Sequence, residues 1–239
     1  MNDLVLILKK IVSNVENVII GKKKAIELIL ISLICDGHVL IEDVPGVGKT
    51  TLVSSLAKSI DASFRRIQFT PDILPSDITG FSMYNQKECT FEFHPGSIMS
   101  NIILADEINR TSPKTQASLL EVMEEKQVTV DGETYYVPRP FMVLATQNPI
   151  EYLGTYPLPE AQLDRFFMKV SIGYPSKEDE SRILARFQIS NPVHELKPVA
   201  SGKEIIIIQD KVKQVFVDKT ISDYIVEIVA KTRYHSDIN

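Results

Sequence analysis

Lys49 lies in the stretch HVLIEDVPGVGKTTL, directly after Gly48 and just before two threonines. Glycines at 46 and 48 let backbone N–H groups approach a polyanion with no side chain in the way. Lysine at the next position suits the outer phosphates of a nucleoside triphosphate, and the Thr50 hydroxyl suits the metal ion that travels with them. A helix beginning there points its free N–H groups and the positive end of its dipole at the same anion. The spacing is that of the phosphate-binding pattern G-x-x-x-x-G-K-[ST] with one departure, because Asp43 stands at the first glycine position. Aspartate tolerates left-handed and turn geometries better than most side chains, so the loop is expected to survive the change.

Two further apolar runs end in residues that a bound triphosphate needs. NIILA runs into Asp106-Glu107, and FMVLAT runs into Gln147-Asn148-Pro149. One carboxylate of the first pair can hold Mg2+ through water, and its neighbour can polarise an attacking water as a general base. Alone, the pair reads equally well as solvated acids capping the next element; beside a phosphate loop the metal-and-base reading is favoured. An amide at the end of FMVLAT can orient that water or touch the terminal phosphate, although Asn-Pro also simply starts turns.

These residues need a scaffold that brings strand ends together. In open α/β sheets, ligands bind outside the carboxyl ends of the strands. The sequence offers five apolar strands for such a sheet: HVLIE, SFRRIQF, NIILA, FMVLAT and FFMKVSI. Helical spacing of apolar residues marks LVLILKKIVSNV, KKKAIELILISLICDG and GKTTLVSSLAKSI, with Gly21 separating the first two. SPKTQASLLEVMEEKQ is a helix whose Ser112 and Pro113 suit the cap and the first turn. TPDILPSDITG reads as a proline-rich turn, and two hairpins are expected in FSMYNQKECTFEFHPG and VTVDGETYYV, the second turning at Asp131-Gly132. After about Pro175 only helices follow. They are SKEDESRILARFQI, a segment opened by a Ser201/Glu204 capping box with Ile205, Ile208, Val212 and Val215 on one face, and ISDYIVEIVAKTR. The fold class expected is therefore α/β, a parallel sheet with helices on both faces over residues 1–174, then the start of an all-α unit over 175–239.

Composition excludes several alternatives. A formal net charge of −5 argues against a general nucleic-acid or anionic-membrane binder. Cys35 and Cys89 have neither disulfide-framework nor metal spacing, and they read as one buried small side chain and one hairpin residue. His38, His94, His194 and His235 form no ligand pair at helical spacing. The first residues lack a basic start and a cleavage site, and no apolar run reaches the ~20 residues of a spanning helix. A soluble, reducing, cytoplasmic setting is the expectation.

Taken together, LIEDVPGVGKT, RIQFTPDILPSDITG, LADEINRTSPKTQASLLEVMEEKQVTVDG, VLATQNPIEYLGTYPLPEAQLDRFFMKV and VDKTISDYIVEIVAKTR resemble, in the same order, stretches of the MoxR family of AAA+ ATPases. The likeness runs from about Val18 to Arg233, and Asp43 is an accepted variant of that family's loop. It implies a P-loop NTPase core with ATP and Mg2+ as ligands, followed by a helical lid. Pro45, Gly46, Val47, Gly48, Lys49, Thr50 and Thr51 match Walker A and its nucleotide-binding surroundings. Asp106 and Glu107 match Walker B, with Thr50 and Asp106 on the metal, and Asn148 matches sensor 1. Ile20 and Gly21 fall where relatives contact adenine.

Arg165 matches the arginine finger that reaches the ATP of a neighbouring subunit, which implies a homo-oligomeric ring, typically of six. Its other reading is a local ion pair with Asp164 or Glu160. The two hairpins match inserts that face the ring pore, and they read equally as decoration of a sheet edge. Relatives continue into further lid helices carrying a sensor-2 arginine that Arg233 does not match, so weak or absent hydrolysis is expected of these 239 residues. The implied activity is ATP-driven, chaperone-like remodelling of protein partners, von Willebrand factor A-domain proteins among them. A DNA-translocating motor and a nucleotide-gated scaffold without turnover are the alternatives. The hairpins are mixed to acidic (Lys87, Glu88, Glu92, Asp131, Glu133), which speaks against DNA, and Glu107 speaks against a scaffold.

Overall fold

Strands buried on both faces must be apolar at every position, because neighbours on each side of the sheet demand it. The three central runs of this chain meet that condition, and they form the middle of the sheet. The computed structural model describes residues 2–148, 154–187 and 192–234; Pro149 of the expected turn and His235 lie outside them. Nine strands are present among the described residues: β1 (Val39–Glu42), β2 (Phe64–Gln68), β3 (Gly80–Asn85), β4 (Thr90–Pro95), β5 (Ile102–Asp106), β6 (Gln127–Val130), β7 (Glu133–Tyr136), β8 (Met142–Gln147) and β9 (Met168–Val170). Five of them pair in parallel in the order β2-β5-β8-β1-β9. The register sets Glu42 beside Gln147 and Gln68 beside Asp106, so the polar residues that end each strand share one edge.

Alternation along the strands sends successive side chains to opposite cores. Val39, Ile41, Ile102, Leu104, Met142 and Leu144 pack on one face against α1 (Asn2–Glu16), α2 (Lys23–Ile34) and α3 (Lys49–Ser59). Leu40, Ile103, Ala105, Val143 and Ala145 pack on the other against α4 (Pro75–Thr79) and α5 (Pro113–Glu125). The segment expected to be a proline-rich turn thus contains the short helix α4, with Pro75 in its first turn and the Leu74 N–H donating to the Asp77 carboxylate at 2.8 Å. Ser112 caps α5 by accepting from the Thr115 N–H. Both hairpins form, β3 with β4 and β6 with β7, and Asp131 and Gly132 turn the second with φ of 50° and 84°.

The short helix α6 (Glu160–Leu163) lies between β8 and β9, and after β9 come α7 (Lys177–Phe187), α8 (Pro192–Glu195), α9 (Gly202–Val212) and α10 (Lys219–Tyr234). The capping box at Ser201 and Glu204 opens α9, which rejoins the first core through buried Ile205 and Ile208. Gln209 reinforces that contact by donating to the Leu33 carbonyl at 2.8 Å. Val215 does not extend this face: α9 ends at Val212, and Val215 is exposed in the loop beyond it. No residue of α10 is buried. Cys35 also departs from expectation; it follows the last turn of α2 on the outward side, and both cysteines are exposed. Among the described residues, no helix is long and apolar enough to cross a membrane.

Candidate functional site

The loop between β1 and α3 bends through two left-handed glycines, Gly46 at φ 87° and Gly48 at φ 85°. A Cβ at either would meet nothing within 4 Å, so these glycines serve backbone geometry and open approach rather than packing. Gly48 caps α3, whose first turn opens into a crevice of about 340 Å³. The loop side supplies Pro45, Gly46, Gly48, Lys49, Thr50 and Thr51, and the strand ends supply Arg66, Asp106, Glu107, Thr146 and Asn148. Lys49 Nζ donates to the Asp43 carbonyl at 2.9 Å, turned back along its own loop.

Asp106 is buried, and both of its carboxylate oxygens are engaged. Oδ1 accepts from Thr146 Oγ1 at 2.6 Å, and Oδ2 accepts from Arg66 Nη2 at 2.6 Å and Nε at 3.1 Å. Thr146 accepts in turn from the Glu107 N–H at 2.9 Å, which links β8 to the turn after β5. Glu107 has φ 58°, a left-handed conformation that costs a non-glycine residue about 1–3 kcal/mol and clusters at functional positions. Its side chain accepts from Gln68 Nε2 at 2.8 Å and lies 3.3 Å from Arg110. Gln147 points elsewhere, donating to Glu42 at 2.6 Å.

A second crevice of about 470 Å³ adjoins the first and shares Gly46, Gly48 and Thr51 with it. Its walls are mostly apolar: Ile20 and Val47 on one side, Pro175, Ile183 and Leu184 on the other. Gly21 follows Ile20 without lining this crevice; its φ of 75° is what favours glycine, since the Asp179 carboxylate that a Cβ would meet at 2.2 Å is the end of a side chain that can turn away.

The strand ends thus bring Pro45, Gly46, Gly48, Lys49, Thr50, Thr51, Asp106, Glu107 and Asn148 to one place, with Ile20 and Val47 in the next crevice. Arg165 is not among them. Its guanidinium pairs with Glu124 at 2.5 Å and donates to the Leu120 carbonyl at 3.0 Å, in a separate cavity bounded by Glu121, Glu125 and Gln162. The local partner is therefore Glu124 on α5, three-dimensionally adjacent, and not Asp164 or Glu160. The turn-preference account of Asp43 also fails. Asp43 is not a positive-φ residue; it is buried, and its carboxylate accepts from the backbone N–H groups of Ile172 and Gly173.

Arg66, Gln68 and Thr146 escape sequence reasoning. The signal that carries them is the polar i, i+2 alternation of Arg66 and Gln68 at the end of an otherwise ordinary strand, which places both on one face.

The residues fit magnesium and a triphosphate on their donor chemistry. The N-terminus of α3, two unobstructed glycines and Lys49 form an anion cradle, and a hydroxyl and two carboxylates face it. Among the described residues, no group of three or more His, Cys, Asp or Glu makes a metal cage. Magnesium is held by one or two protein ligands together with substrate phosphates, and Thr50 and Asp106 offer a hydroxyl and a carboxylate of that kind.

The sequence profile described as "ATPase family associated with various cellular activities (AAA)" matches residues 38–168. An uncharacterized protein of Bacillus subtilis, YeaC, is 56% identical over 99% of this chain and 74% of its own length. Chaperone MoxR1 of Mycobacterium tuberculosis is 43% identical over 95% of this chain, which spans 59% of that protein. The solved structure of a candidate ATPase from Cytophaga hutchinsonii, 43% identical, superposes with a TM-score of 0.87 over 97% of this chain and 71% of that one. With the parallel sheet and the loop in place, the chain belongs to the MoxR family of AAA+ ATPases.

Proposed function

We propose that this chain binds Mg–ATP in the first crevice, with the base in the second, and that hydrolysis takes place in an assembled ring that remodels partner proteins. The observation that carries the reading is the convergence of the loop and of the ends of β5 and β8 on one 340 Å³ crevice, with buried Asp106 across from the start of α3. In this reading the N–H groups of Gly46 to Gly48 and the Lys49 ammonium hold the β- and γ-phosphates. The Thr50 hydroxyl and Asp106 serve the magnesium ion, which supplies charge neutralisation at the phosphates when bound. Glu107 takes the proton of the attacking water, and Asn148 orients that water. Ile20 and Gly21 form the floor under the adenine.

Arg165 acts in the next subunit's site, which its position outside the crevice supports. Residues 175–239 are proposed to belong to the lid, with α7 forming one wall of the base crevice. Protein partners, von Willebrand factor A-domain proteins among them, fit the family and the name of the mycobacterial relative better than DNA does. The net charge of −5 supports the same choice. A cytoplasmic location and a six-membered ring belong to the same proposal.

Two substitutions test the site. Lys49→Ala should weaken Mg–ATP binding by about 100-fold, the scale of a lost charge-assisted phosphate contact. Glu107→Gln should keep that affinity while turnover in the assembled protein falls by about 10²–10⁴-fold, the range of general-base catalysis. Unchanged turnover in Glu107→Gln would reassign the base.

A further inference from the structure

The first position of the phosphate loop is occupied by a side chain with a job of its own. β1 and β9 stay paired through Ile41 and Val170, and past that point the two backbones diverge as the chain leaves β9 through Gly173 at φ 66°. The Asp43 carboxylate takes over where the ladder stops. It accepts from the Ile172 N–H, from the Gly173 N–H at 3.1 and 3.2 Å, and from Ser171 Oγ at 3.3 Å. Only 7% of the residue is exposed, so the charge is balanced by these donors and not by bulk water. Glycine at this position would leave two backbone donors without that acceptor.

The same residue faces the phosphates from its other end. The Asp43 carbonyl accepts from Lys49 Nζ, the group that must swing toward any triphosphate in the crevice. From Gly173 the chain continues through Tyr174, whose carbonyl accepts from Lys22 Nζ at 2.7 Å, and through Pro175 into α7. Ile183 and Leu184 of α7 then form the outer wall of the apolar crevice, facing Ile20 and Val47. One residue therefore bonds, through carbonyl and carboxylate, to the phosphate-binding lysine and to the root of the wall over the base.

We propose that Asp43 is a positioning residue that holds the 171–175 junction, and with it α7, in register with the phosphate loop, so that base affinity depends on the loop's geometry. The inference rests on the ATP-site reading above. It assigns the departure from the glycine pattern a purpose: the loop gives up a glycine to gain a tether to the segment that covers the nucleotide.

The test uses the 239-residue chain, its Asp43→Gly variant and its Asp43→Asn variant, which keeps one oxygen acceptor. Calorimetry measures Mg–ATP and Mg–tripolyphosphate, the latter touching the loop alone, and hydrogen exchange reads the amides of Ile172 and Gly173. In Asp43→Gly those amides should exchange about 10–100-fold faster and ATP affinity should fall about tenfold, while tripolyphosphate affinity changes less than about threefold. Asp43→Asn should fall between the two proteins. Parallel losses for ATP and tripolyphosphate would show a deformed loop and overturn the proposal, as would unchanged exchange at 172 and 173. If Asp43→Gly does not fold, the same readings on Asp43→Asn decide, with half-way values expected and parental or parallel ones overturning. Failure of both ligands to bind the parent would sink the ATP reading, and the exchange measurement would still decide the tether.

Discussion

The crevice at the strand ends and the face that carries Arg165 are built differently. In the crevice, both carboxylates are held by partners from other strands: Asp106 by Thr146 and Arg66, Glu107 by Gln68. Arg165 has a side chain about 37% exposed and lies against Glu124, itself 60% exposed, at the surface of α5. A group locked by cross-strand hydrogen bonds is preorganised within one chain. A group held by a half-solvated ion pair, which contributes about 0–1 kcal/mol, and by one backbone carbonyl is easier to move. The difference matches the proposed roles: the carboxylates of the first region are held within one chain, while Arg165, in the proposed reading, exchanges its partner for a neighbouring subunit's site.

The largest effect expected is at that second region. Arg165→Ala should leave Mg–ATP affinity of the isolated chain unchanged and lower turnover of the assembled protein by about 10³-fold or more, the scale of a trans-acting arginine. Mixing Arg165→Ala with Glu107→Gln sharpens the contrast. Each should be inactive alone, but in the proposed ring a mixture would contain interfaces where an intact Arg165 meets an intact Glu107, and partial activity should return. If mixing restores nothing, or if Arg165→Ala weakens binding by the single chain, the separation of the two regions breaks.

A smaller effect comes from the opposite edge of the sheet. His38 directly precedes β1 at the amino ends of the strands and is buried to 5% exposure; its Nδ1 accepts from the Val143 N–H of β8 and its Nε2 faces the Met123 carbonyl of α5 at 3.0 Å. That pairing fixes a neutral ring with the proton on Nε2. Its pKa is lowered from 6.5 to about 4, first by burial and then by the nearby Lys126 charge, against the raising influences of the Met123 carbonyl and Asp36. The unfolded chain therefore binds a proton that the folded chain refuses between those two values, and stability is lost as pH falls through that window. Denaturant unfolding should show roughly 2 kcal/mol less stability at pH 5 than at pH 7 from this group. A His38→Gln variant should lack that part of the slope. If it keeps the full slope, other groups carry it.

Legibility followed the physics of each part. The five strands, the loop and the acidic pair could be read because apolar runs, left-handed glycines and strand-end carboxylates are local signals that the parallel register then gathers at one edge. Cross-strand partners could not. Nothing near Asp43 in the chain announces Ile172 and Gly173, and local turn preference gave the wrong reason for its presence. Glu124 as the partner of Arg165 was hidden for the same reason: the pair is close only because α5 and the 160–167 segment meet on one face of the sheet. The return of α9 to α2 was equally silent, since helical periodicity shows which face is apolar but not what covers it.

The smallest expected effect concerns Gln68, the side chain that makes the crevice side of the comparison rigid. It ends β2 in register with Asp106, and its amide donates to Glu107 Oε2 at 2.8 Å. The carboxylate it holds belongs to a residue whose backbone is already strained at φ 58°. Removing the amide frees one oxygen of the proposed base without touching the phosphate loop, so binding should be insensitive. A hydrogen bond to a charged group contributes about 1.5–3 kcal/mol, and part of that returns through water at this half-open position. Gln68→Ala should accordingly change turnover by about tenfold at most, with Mg–ATP affinity within about twofold of the parent. A fall in turnover locates the amide as an aid to the base, and a rise identifies it as a restraint that keeps Glu107 from its water. An affinity loss as large as that of Lys49→Ala would instead show that β2 supports the phosphate loop itself, and the division between holding phosphate and orienting the base would have to be redrawn.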